Sequence, residues 1–179
     1  MALPFVSNQT SSWLLYILVD SALPTGGFVA SSGLEATYQA GLLDSDNLNE
    51  WVHSANLNYA CNTSCFVRAG YEALDHKDPL AQLEECDSIC NAVMVANTVA
   101  RRASLAQGIA MVTLYLKCFT ELNEEQQQGD GDELLDLTIM KQFKTMIRAE
   151  KVDGHFPVCF GLVCRYLKVD LGKLYRSWM

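Results

Sequence analysis

Apolar positions along this chain recur every three or four residues, the spacing of helices that bury one face. Alternating apolar runs bounded by Asn-Gly or Asp-Gly turns are missing, so strands are not expected. Ser11 and Ser12 are placed to cap a helix to about residue 19, with Trp13, Leu14, Ile17 and Leu18 on one side. An amphipathic segment ends near Gly41. The spacing then predicts a long helix over 47–74, its apolar side including Leu48, Trp51, Val52, Ala55, Tyr59 and Phe66. Asp78-Pro79 reads as an N-cap followed by a first-turn proline, opening a helix over about 80–91. Further helices are predicted over 98–119, 134–150 and 158–167, the last entered through Pro157. About seven or more helices joined mostly by short loops make an all-α, single-domain bundle spanning 1–179.

One segment breaks the pattern. Residues 121–136 hold seven acidic side chains, three consecutive glutamines, two glycines and no basic residue, which predicts an acidic, mobile, solvated loop at about 121–133. The net charge of −8 is unevenly spread: residues 1–100 carry eleven acidic groups against two basic ones, whereas 141–179 carry eight basic against three acidic. That distribution argues against general nucleic-acid binding and suits docking to protein partners of mixed charge. No apolar run reaches the length of a membrane span, and the start of the chain lacks the basic region of a signal peptide. The seven cysteines are therefore read as reduced cytosolic thiols, most of them buried as small hydrophobes.

Two constellations bear chemistry. Cys61 with Cys65, and Cys86 with Cys90, each set two thiols on one helix face at i and i+4; if their helices paired, four thiolates would form a metal site. The close-spaced Cys-x2-Cys knuckles are missing, and apolar neighbours such as Phe66 and Ile89 favour packing instead. His155 and Cys159 also lie at i and i+4 where the last helix begins. A helix N-terminus and an imidazole would together activate that thiol as a nucleophile, although no third, orienting group is legible.

The stretch Ser21-Ala-Leu-Pro-Thr-Gly-Gly-Phe28, continuing through Ser31, Ser32, Gly33, Leu34 and Glu35 to Ala40-Gly41, resembles the opening of the UreF family of urease accessory proteins. Two later segments are similar to the same family: Arg102-Ala103-Ser104 with Gly108, and His155 with Pro157, Val158, Phe160 and Gly161. The resemblance implies an all-helical fold that dimerises. It further implies a cytoplasmic, non-catalytic protein bridging a UreD/UreH-type scaffold and the GTPase UreG, so that nickel is delivered into apo-urease. Nickel would be cargo of that complex, with no cofactor bound stably by this chain and no nucleic acid or membrane partner. The partner-facing residues implied are Gly26, Gly27, Phe28, Glu35, Arg102, Ser104, Gly108, His155 and Pro157; each also has a core reading, the stronger one for Phe28, Gly108 and Pro157, whereas the charges of Glu35 and Arg102 favour the surface. The family normally continues for further C-terminal helices beyond the point matching the present end of the sequence, so those elements are expected to be missing.

Overall fold

The computed structural model describes residues 17–18, 33–118 and 131–172, of which 131–136 by backbone alone. The described residues form six α-helices and one 3-10 turn, with no strand among them. The helices are α1 (Leu34–Gln39), α2 (Leu48–Glu72), α3 (Pro79–Met94), α4 (Thr98–Cys118), α5 (Gly131–Arg148) and α6 (Phe156–Tyr166), with the 3-10 turn Ala73–Asp75 closing α2. The all-α class is as the periodicity predicts, while a count of seven or more is not reached among the described residues. The predicted helix over 11–19 lies outside the described residues except for Ile17 and Leu18, which are helical. The acidic loop at 121–133 lies outside them up to residue 130, and α5 begins at Gly131, earlier than its apolar repeat suggests.

Local chemistry sets the helix ends. The Asp78 carboxylate accepts the Ala81 N–H at 3.1 Å, with Pro79 next to it at the start of α3. α1 ends in a Schellman arrangement: Gly41 takes φ 70°, and the N–H groups of Gly41 and Leu42 reach back to Tyr38 and Thr37. α5 and α6 end the same way, but the left-handed residue is Glu150 (φ 56°) in one and Lys168 (φ 54°) in the other. A β-carbon in that conformation carries strain that glycine avoids.

The bundle is built around α6. Every residue from Pro157 to Cys164 is buried, as expected of a helix that is apolar all round. It packs chiefly on α2 and α4. The approach to α2 is backbone-close: a Cβ on Gly161 would fall 2.0 Å from the Val67 carbonyl oxygen, and one on Gly70 would fall 2.3 Å from that of Val158. Phe143, Met140, Leu83, Met111 and Tyr115 from the other helices fill the rest of the core. The Tyr166 hydroxyl accepts the Met140 N–H, and its ring lies against Tyr115 with centroids 5.3 Å apart.

This arrangement corrects the reading of α2. Phe66 is in the core, but Leu48, Val52 and Tyr59 are 40%, 41% and 50% exposed. The reason is length: α6 has 11 residues and α2 has 25. At 1.5 Å per residue α6 reaches along roughly 16 Å, less than half of its neighbour. Ile89, expected to favour burial, is 51% exposed, because it lies away from the Leu83–Cys86–Cys90 face that meets the core. Among the described residues no helix is long and apolar enough to cross a membrane.

Candidate functional site

Of the buried polar residues, Asp87, Ser104 and His155 converge on one place, the turn between α5 and α6, while Thr63 bonds back to Tyr59 within α2. Residues 153–156 present four successive backbone N–H groups just ahead of and at the start of α6, where helix geometry leaves donors unpaired. Asp87 of α3, 1% exposed, takes three of them. Its Oδ2 accepts from Asp153 at 2.7 Å and from Gly154 at 2.9 Å, and its Oδ1 accepts from His155 at 2.7 Å. The fourth, on Phe156, is donated to Ser104 Oγ of α4 at 3.1 Å. The N-terminus of the central helix is thus capped by side chains from two other helices. His155, formally its N-cap residue, makes no side-chain cap bond of its own.

The His155 ring completes the network. It is fully buried, with Nδ1 3.1 Å from Ser104 Oγ and Nε2 3.2 Å from Asn91 Oδ1. Asn91 Oδ1 can only accept, so in the neutral ring the proton sits on Nε2 and Nδ1 accepts from the Ser104 hydroxyl. Asn91 Oδ1 also accepts from Arg101 Nε, and Arg101 Nη2 pairs with Asp153 at 3.3 Å. These surroundings favour the neutral imidazole. Burial lowers its pKa below the usual histidine value, and the Arg101 charge acts in the same direction, against the opposing pull of Asp87 and Asp153.

Glycine lets these parts meet. A Cβ on Gly108 would stand 2.0 Å from the Gly154 carbonyl oxygen and 2.9 Å from the backbone of His155 and Phe156. Ser104 and Gly108, four residues apart on one face of α4, therefore hold the turn by a hydrogen bond and by a contact that admits no side chain. Gly154 itself takes φ 78°.

Ser104 and His155 resemble half of a nucleophilic pair but cannot act as one. Ser104 is 6% exposed, and its oxygen is occupied by the Phe156 N–H. The Cys159 nucleophile is likewise excluded by its surroundings. The side chain is fully buried, and burial raises its pKa well above that of a free thiol, with the nearby Asp87 adding to the effect. Desolvation here outweighs the helix N-terminus that would have activated it. The four-cysteine metal site does not assemble either. Cys61 and Cys65 are exposed, Cys86 and Cys90 are buried, and no group of three or more potential ligands forms among the described residues. The Cys90 thiol is pushed up to about 12, first by burial and then by the neighbouring Asp87, and stays protonated.

Of the nine residues singled out as partner-facing, Ser104, Gly108, His155 and Pro157 are buried, as the core reading open for each of them has it. Glu35 and Arg102 are exposed. Gly26, Gly27 and Phe28 lie outside the described residues. The network members missed in the sequence are Asp87, Asn91 and Arg101. Asp87 and Asn91 sit four apart on an otherwise apolar helix face, beside Leu83, Cys86 and Cys90, and that interruption was the available signal.

The comparisons with known proteins bear on the same residues. The family model UreF matches residues 42–179, a span that holds the entire network. "Urease accessory protein 6" of Cryptococcus neoformans var. grubii is 29% identical over 89% of this chain. "Urease accessory protein F" of Arabidopsis thaliana is 31% identical over 97% of it, and the protein of that name from Oryza sativa subsp. indica is 31% identical over 96%. The chain spans about three fifths of the length of these relatives, at 64%, 65% and 59% respectively. No solved structure matches it. With the family model covering well over half of the sequence, the chain belongs to the UreF family.

Proposed function

We propose that this chain is a non-catalytic accessory protein of urease maturation. In this reading it works in the cytoplasm, as a homodimer, bridging a UreD/UreH-type scaffold and the GTPase UreG so that nickel passes into apo-urease. The observation that carries the reading is the family match over residues 42–179, joined by relatives named as urease accessory proteins. The site chemistry supports it: the Ser104–His155 pair is sealed and hydrogen-bonded at both ring nitrogens, so what the chain offers is shape and charge. The Asp87–His155 network then serves to fix α6 and α4 relative to one another, and with them the surface they support. Exposed Glu35 and Arg102 are the proposed direct contacts, with Gly26, Gly27 and Phe28 of the opening motif.

The test is urease activation in a cell that lacks its own UreF, with this chain supplied from a plasmid. Urease activity and the nickel content of the purified urease are both read. Restoration of both supports the proposal. A parallel strain carries the chain extended with the C-terminal third of a longer relative. Rescue by the extended form alone assigns the same role but makes those further residues necessary, and failure of both forms sinks the reading.

A further inference from the structure

The described residues contain a set of cations that no described carboxylate pairs with. Lys141, Lys144 and Arg148 of α5 lie within about 60° of one another around the helix, at 3.6 residues per turn, on the flank of the face that carries Met140, Phe143 and Ile147 into the core. They form a ridge roughly 10 Å long. Lys117, at the end of α4, is near enough to Lys144 to act on its charge, and Lys151 follows Arg148 three residues on. Four of the five are exposed, and Lys144 is half-buried. None forms an ion pair with a described residue, whereas Arg68, Arg101 and Arg165 elsewhere in the fold each do. Glu150 follows Arg148 closely but pairs with none of them, and the described part of α5 from Leu137 onward carries no carboxylate.

Among the described residues, the helix dipole explains only part of the ridge. The helix macrodipole favours a cation in the last turn, which accounts for Arg148 but not for Lys144 and Lys141, one and two turns earlier. Lys144 is penalised where it stands: partial burial, then Arg148, then Lys117 lower its pKa, all acting against the charged form. Bringing like charges together on a chain of net charge −8, with 21 acidic side chains available, leaves an unfavourable arrangement that an anionic partner would relieve.

We propose that the Lys117–Lys141–Lys144–Arg148 ridge is a docking surface for a carboxylate-rich segment of a protein partner. Charge complementarity selects this occupant. A nucleic acid would bring a dense phosphate charge against a molecule that is strongly acidic as a whole, while a short acidic segment matches a ridge of four or five cations without meeting the acidic remainder. The inference does not depend on the urease reading, because its test is direct binding.

The full chain is titrated into a fluorescein-labelled ten-residue peptide of alternating Glu and Ala, with the Gln-Ala peptide and a ten-base-pair DNA duplex as comparators, at 25 and 250 mM NaCl. The expected result is binding of the Glu peptide that weakens at least tenfold in the higher salt, and at least tenfold in Lys141→Gln/Lys144→Gln/Arg148→Gln, with no binding of the Gln peptide. Should the triple variant lose helical circular dichroism, carbodiimide coupling of the Glu peptide to the wild-type chain replaces it, and cross-links must map to Lys117, Lys141 or Lys144. Equal affinity of wild type and a folded triple variant, cross-links elsewhere, or absence of binding overturns the proposal. Tighter binding of the duplex makes the ridge a nucleic-acid surface instead. Binding only after Glu121, Glu124 and Glu125 are changed to Gln makes the occupant the chain's own acidic run, which also overturns it.

Discussion

Replacing Asp87 by asparagine changes the shape of the side chain little and tests the central network directly. The native carboxylate accepts three backbone N–H groups, two at Oδ2 and one at Oδ1. An asparagine can keep its oxygen in the Oδ2 place and hold Asp153 and Gly154, but its NH2 then faces the His155 N–H, donor against donor. Leaving that buried N–H unpaired costs about 1–3 kcal/mol, and the other two bonds fall from charge-assisted to neutral strength, about 1 kcal/mol each. The lower desolvation cost of a neutral amide returns part of this, leaving a net loss of about 3 kcal/mol. In a domain of this size that lowers Tm by roughly 6–12 °C. The assay is thermal and urea unfolding followed by circular dichroism at 222 nm, combined with native-state hydrogen exchange. The amides of residues 153–156 should lose protection first, because the carboxylate holds that turn before it holds anything else. A loss below about 1 kcal/mol, or unchanged exchange at those four amides, would refute the assignment of Asp87 as the cap of the central helix.

Four other outcomes follow from the same structure. His155 has a folded pKa below its ordinary value, so the unfolded chain binds the proton more readily; its contribution is complete above about pH 6.5 and is lost as pH falls toward the folded pKa. Wild type should therefore lose stability from pH 7 to 5 more steeply than His155→Gln, and parallel curves for the two would contradict a buried neutral imidazole. Gly108→Ala drives a methyl group into the Gly154 carbonyl oxygen and should cost about 3 kcal/mol or more, measured as the shift in urea midpoint; a neutral result would mean that α4 and the turn are farther apart than described. Maleimide applied to native protein at pH 7.5 should modify Cys61, Cys65 and Cys118 and leave Cys86, Cys90, Cys159 and Cys164, as counted by intact mass; rapid labelling of Cys159 would revive the nucleophile that burial excludes. Lys168→Gly, which relieves a left-handed residue at φ 54°, should raise stability by about 0.5–1 kcal/mol in thermal unfolding, and destabilisation would show that the lysine side chain matters more than its backbone strain.

What the sequence determined by itself was whatever depends on neighbours along the chain. The three- and four-residue repeat is enough to require helices, and Asp78-Pro79 and Pro157 mark starts that the structure keeps, because capping and proline geometry act within one turn. The family motifs were legible in the same way, through Arg102-Ala103-Ser104, Gly108 and His155 in fixed spacing. Their roles were not. Asp87 and Asp153 are 66 positions apart, and Ser104 and His155 are 51, so only the packing of α3, α4 and α6 makes them partners. Burial is decided at the same level: Leu48 and Phe66 lie on one helix with similar apolar character, and the reach of α6 leaves the first exposed and covers the second. The same holds for charge. Arg101 and Arg102 are adjacent residues of one type, yet a rotation of about 100° along α4 turns the first into the network and leaves the second to solvent, because a helix sets neighbouring residues on different faces.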